Sequence, residues 1–214
     1  MNIRILISCA VLGLVSACGS GRTSAPAPVA VMPSTLSYVD PGGAGWKLVR
    51  DYTSTSTRLV LDLVGPANLK SRGVGFNLKR GGGLAFATFA DGAYAQDTGV
   101  FELKGSNSNF EPYAGTPADP VLFVSAPLPS GDVLSTGIFQ KDRTYAAKSL
   151  TQPLVQVALE LAPGGSANGP LVALQVVKAR MIPEDIGGFE LTPTVIAKAK
   201  MVDIDVAVGT ITVQ

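Results

Sequence analysis

The chain has 214 residues, 46% of them hydrophobic and 15% charged, with 24 Gly, 15 Pro and no His. Its 17 basic and 16 acidic residues leave a formal charge of +1, without the basic surplus that draws nucleic acid or anionic lipid. With no His, Ser-His-Asp and Cys-His nucleophiles and His-ligated metals are excluded, and no Ser stands three residues before a Lys, which excludes S-x-x-K chemistry as well.

Arg4 is the only charge in the first 21 residues, and residues 5–18, "ILISCAVLGLVSAC", are apolar or small throughout. That run is shorter than the ~20 residues a membrane-spanning helix needs. A basic start, a short apolar run and small residues before a break make a secretory signal. Val15-Ser16-Ala17-Cys18 resembles the lipobox of bacterial lipoprotein precursors. The resemblance implies cleavage after Ala17, a diacylglycerol thioether on Cys18 and acylation of the new amine; the alternative is an ordinary signal whose cleavage site contains a Cys. Gly19 stands where inner-membrane members of that family carry Asp, which implies the outer membrane. Cys9 then leaves with residues 1–17, Cys18 carries lipid, and no thiol remains for a disulfide.

Residues 18–35 are rich in Gly, Ser, Ala and Pro and predict a semi-rigid, extended spacer. Residues 36–214 are long enough to bury a core without staples. "LSYVDPGGAGWKLVRD" carries the turn signal Asp40-Pro41-Gly42-Gly43 and predicts an edge hairpin. In "RLVLDLV", Leu59, Leu61 and Leu63 share one face, with Arg58 and Asp62 on the other; in "GVGFNLK", Val74, Phe76 and Leu78 alternate with Asn77 and Lys79. Further strands are predicted at "LAFATF", "GVFELK", "VLFVSA", "LVQVALEL", "LVALQVV" and "MVDIDVAVGTITV", and a helical turn is an option at "TPTVIAKAK". Short alternating strands separated by Gly/Pro turns predict an all-β sandwich or barrel.

The order of "RLVLDLVGP", "RGVGFNLKRGGGLAFATFADGA", "LVQVALELAPGGSANGPLVALQVVKARMIPEDIGG" and the closing "VGTITV" resembles a cohesin-type domain over residues 58–214. That resemblance implies a jelly-roll or immunoglobulin-like sandwich of about eight to ten strands that binds other proteins, notably dockerins. The chain departs from the family where "GFNLK" runs into Arg80-Gly81-Gly82-Gly83, has one such domain, and has no dockerin-like calcium repeat.

Candidate sites are few. Arg80-Gly81-Gly82-Gly83 lacks the Gly-Lys-Ser/Thr of a P-loop and reads as a bend, and Gly73-Val74-Gly75 reads as strand. Asp203 and Asp205 alternate with Val202, Ile204 and Val206, so both carboxylates are expected on one sheet face, as half of a calcium site or as a solvated strand. Asp91, Asp97, Glu184 and Asp185 are acidic turns. The long polar segment 105–120 holds Phe110 and Tyr113, which either stack on sugar or anchor a protein, or fold back over the sandwich edge. Trp46 has the same two readings, and Tyr145 in segment 141–153 is a candidate rim residue. The expectation is a non-catalytic, lipid-anchored envelope module that recognises a protein partner and needs no cofactor, calcium being an option. The alternatives are a carbohydrate-binding module of the same fold and a carboxylate-dependent hydrolase.

Overall fold

The computed structural model describes residues 35–101, 121–140, 146–163, 174–184 and 201–213. All of them lie within one compact unit, Ser34–Gln214. The described residues form fourteen strands and no helix, three of the strands being only two residues long. They are β1 (Leu36–Val39), β2 (Trp46–Arg50), β3 (Arg58–Val64), β4 (Lys70–Lys79), β5 (Leu84–Ala87), β6 (Ala95–Asp97) and β7 (Val121–Pro127). After them come β8 (Val133–Gln140), β9 (Lys148–Ser149), β10 (Val155–Leu161), β11 (Gln175–Pro183), β12 (Val202–Asp203), β13 (Val206–Ala207) and β14 (Thr210–Val213).

The first sheet runs β13-β2-β3-β10-β5, with β6 added to β10; the second runs β12-β11-β4-β8-β7, with β9 added to β4. The inward set of β3 and β10 (Leu59, Leu61, Leu63, Val155, Val157, Leu159) joins that of β4 and β8 (Val74, Phe76, Leu78, Leu134, Ile138) in one apolar core. A single core between two sheets defines a β-sandwich. The alternation in "RLVLDLV" and "GVGFNLK" thus directs the leucines inward, each such side chain contributing roughly 1.5–3 kcal/mol by leaving water.

Three expectations change. β1 and β2 do not form a hairpin: β1 pairs with β14 and β2 with β3. Asp40, in the turn between them, accepts the amide of Arg50 at 2.7 Å, so the turn is held by a side chain rather than by strand pairing. In "GVFELK", residues 99–101 follow β6 as a turn, with Gly99 at φ 86°, and residues 102–104 lie outside the described residues. The tail "MVDIDVAVGTITV" is three strands, not one. β12 pairs with β11 in the second sheet, β13 lies parallel to β2 in the first, and β14 pairs with β1. A single alternating ladder would keep the chain in one sheet, whereas here it passes from one to another. The "TPTVIAKAK" segment lies outside the described residues.

Candidate binding face

The outward side of the second sheet is built on glycine. β4 and β8 pair so that Gly73 stands opposite Phe139, Gly75 opposite Gly137 and Asn77 opposite Ser135. Their neighbours Val74, Phe76, Leu78, Leu134 and Ile138 fill the core, so this alternate set points outward. The half-buried Phe139 ring lies across the three glycines. A methyl group on Gly73, Gly75 or Gly137 would come within 2.7, 2.9 or 2.6 Å of ring carbons. Only glycine leaves room for the ring to settle against the sheet.

β11 extends this face through a bulge. Val176 pairs with Leu78 and Lys178 with Asn77, leaving Val177 out of the ladder and 45% exposed. An extra residue reverses which side chains face inward beyond it. Val176 packs on the core before the bulge; Ala179 and Met181 do so after it. Lys178 and Arg180 are therefore turned outward, and both are exposed. A shallow hollow of about 200 Å³ results, floored by Gly75 and Gly137 and walled by Phe139, Asn77, Ser135, Lys178, Arg180 and Met201. Nε of Arg180 donates to Oδ1 of Asp203 at 2.6 Å, which fixes the guanidinium. Lys178 has no ion-pair partner among the described residues.

The first sheet holds a different polar arrangement. Asp62 of β3 faces outward, as expected, yet is only 5% exposed, as is Asp51 beyond the end of β2. Val60, Ala87 and Ala158 form a small apolar cluster on this side, with Phe89 packed on it and the Arg58 guanidinium 5.3 Å from the Phe89 ring centre. Nε2 of Gln156 donates to Oδ1 of Asp62 at 2.9 Å. Asp51 and Asp62 each influence the other's titration. Burial, opposed by the Gln156 bond and reinforced by the charge of Asp51 and the bond to it, pushes Asp62 up to about 6. Burial also raises Asp51, but hydrogen bonds from Thr53, Asp62 and Tyr52 outweigh it and hold that carboxyl below its ordinary value. Asp62 therefore takes up a proton at higher pH than Asp51 does.

The residues singled out from sequence are dispersed. Trp46 is buried in the core at 5% exposure, so its ring is not a surface platform. Asp203 on β12 pairs with Arg180, and Asp205, between β12 and β13, is exposed; Ile204 and Val206, which alternate with them, pack on the core. No cluster of three metal-ligating side chains occurs among the described residues. Oδ1 of Asp91 accepts the amide of Ala93 at 3.0 Å, and Oδ2 of Asp97 that of Gly99 at 2.9 Å, as in ordinary turns. Phe110, Tyr113, Tyr145, Asp185 and Cys18 lie outside the described residues.

The face on β4, β8 and β11 was not anticipated. Its only sequence signal is paired outward positions, Gly73-x-Gly75 and Gly137-x-Phe139, where glycine alternates with core residues on strands that prove to be neighbours.

No family model matches the chain, and no curated protein matches it. Among solved structures it is similar to the crystal structure of a type II cohesin domain from the cellulosome of Acetivibrio cellulolyticus. The identity is 13% and the TM-score 0.40, over 79% of this chain and 93% of that one.

Proposed function

We propose that this chain is a non-catalytic, lipid-anchored binding or scaffolding module of the cell envelope, cohesin-like in type, which takes a protein partner on the outward face of the second sheet. The observation that carries this reading is Phe139, an aromatic side chain set across Gly73, Gly75 and Gly137 on the outward sheet face. An aromatic ring on a rigid, flat support, rimmed by Lys178, Arg180, Asn77 and Ser135, has the make-up of an interface anchor. The lipobox at Val15-Ser16-Ala17-Cys18 supports lipidation of Cys18, and Gly19 supports the outer membrane.

The test is capture from envelope extract on the immobilised unit Ser34–Gln214, with and without calcium, beside its Phe139→Ala variant. The reading expects a specific protein on the parent unit and its loss on the variant. Recovery of a glycan instead, or equal capture by the variant, would overturn it.

A further inference from the structure

Resting on the reading above, we infer that the partner is acidic and that it places a carboxylate side chain against Lys178 and Arg180 and a neighbouring apolar side chain on Phe139. Two independent observations converge on this chemistry. The first is the hollow itself, whose lining sets Lys178 and Arg180 beside the Phe139 ring and holds no acidic residue; Arg180 is held by Asp203 behind it, and Lys178 has no ion pair among the described residues. A cation beside an aromatic ring on one rigid sheet accommodates an anion flanked by hydrocarbon, as where Asp or Glu stands next to an apolar residue. Inorganic anions alone would leave the ring unused.

The second is the distribution of charge between the sheets. The strands of the second sheet carry Lys70, Arg72, Lys79, Lys148, Lys178 and Arg180 against the single acid Asp203. The strands of the first balance Lys47, Arg50 and Arg58 against Asp62, Asp97 and Glu160. Among the described strands the basic surplus thus falls in the second sheet. Lys70 is paired with Glu184 at 3.4 Å and Lys79 with Asp132 at 3.8 Å, at the margins of the sheet. On β11, Lys178 has no ion pair among the described residues, and it lines the hollow. Its charge is oriented by the Val177 bulge, which turns it to solvent instead of toward the core. Complementary charge of this kind governs encounter rate and partner choice.

The experiment pans the purified full-length chain, in detergent, against a display library of short random peptides and then measures the enriched peptides in solution. Enriched peptides are expected to be net negative, with an acid next to an apolar residue. Their affinity should fall about tenfold or more in Lys178→Glu, and it should fall as added salt shortens the screening length. Enrichment of neutral or basic peptides, no enrichment, or an unchanged affinity in Lys178→Glu would overturn the inference. So would binding of polygalacturonate as tight as that of the peptides. Phe139→Ala separates the two levels. If it leaves peptide binding intact, the docking face itself is wrong. If it abolishes binding while the enriched peptides carry no acid, the face stands and only the acidic partner is wrong.

Discussion

Tyr38 and Gly209 are joined across 171 residues of sequence by one hydrogen bond, the Gly209 amide donating to the Tyr38 phenolic oxygen at 2.6 Å. The same hydroxyl donates to the carbonyl of Leu48 at 2.9 Å, so one side chain links β1, β2 and the approach to β14. Burial, opposed by the Gly209 amide and reinforced by Asp40, pushes the phenol up to about 12. Removing the hydroxyl in Tyr38→Phe leaves two backbone groups without this partner and is expected to cost about 1–3 kcal/mol, read by urea unfolding. Gly209→Ala should cost more, because its methyl group would be driven into the Val39 carbonyl and the Tyr38 ring. In a spectrophotometric titration one tyrosine should remain un-ionised past pH 11 in the parent and be missing in Tyr38→Phe.

The Asp51–Asp62 pair predicts a pH dependence with a definite sign. The folded state holds Asp62 up at about 6, so the stability it contributes is complete below the ordinary carboxylate value and is lost as pH rises through 6. Asp51 acts oppositely: its lowered value stabilises the fold above the ordinary range and is lost on acidification. Asn at position 62 can still accept from Gln156 and carries no charge to repel Asp51. Asp62→Asn is therefore expected to be more stable than the parent at pH 8, by on the order of 2 kcal/mol, and nearly equal to it at pH 4.5. Thermal melts at the two pH values check this, and a variant less stable at pH 8 would refute the assignment.

The glycines under Phe139 should separate folding from binding. At Gly137 the nearest atoms to an added methyl group belong to the movable Phe139 ring, at 2.6 and 2.9 Å. Gly137→Ala should displace the ring, reduce partner capture and shift the melting temperature only modestly. At Gly73 the methyl group would instead meet the Ile138 carbonyl and the Phe139 Cα, both at 2.7 Å. Gly73→Ala must therefore move backbone and should destabilise the fold more strongly than Gly137→Ala. Equal melting temperatures for the two variants would contradict this account.

Lipidation has its own measurement. Labelling with radioactive palmitate is expected for the parent chain and should be lost in Cys18→Ser, which should also accumulate as the uncleaved precursor. Unchanged labelling in the variant would refute the anchor.

What could be read in advance followed the strength of the periodicity. β3, β4 and β10 alternate cleanly because each sends leucine, valine or phenylalanine to the same core, and these strands with their turns were legible. β8, "VLSTGIFQ", was not, because its buried side includes Thr136 and Gln140 beside Leu134 and Ile138, while its outward side includes Phe139. Polar residues inside and an aromatic outside cancel the hydrophobic contrast that marks a strand. β11 hides its cations differently. Strict alternation from Val176 would put Lys178 and Arg180 on the core side, and the bulge that prevents this has no Gly or Pro to announce it. The candidate face lies on both strands, so pattern reading pointed instead to long loops and acidic turns.

The three-way course of residues 202–213 has a consequence for how the chain acquires its structure. β12, β13 and β14 each supply an outer strand to a different sheet, and β1 has no pairing partner until β14 has been made. Contacts this distant in sequence form slowly, after a large loss of chain entropy. During synthesis the sandwich would remain open until residues 202–213 had emerged. Until then one edge of each sheet lacks its strand.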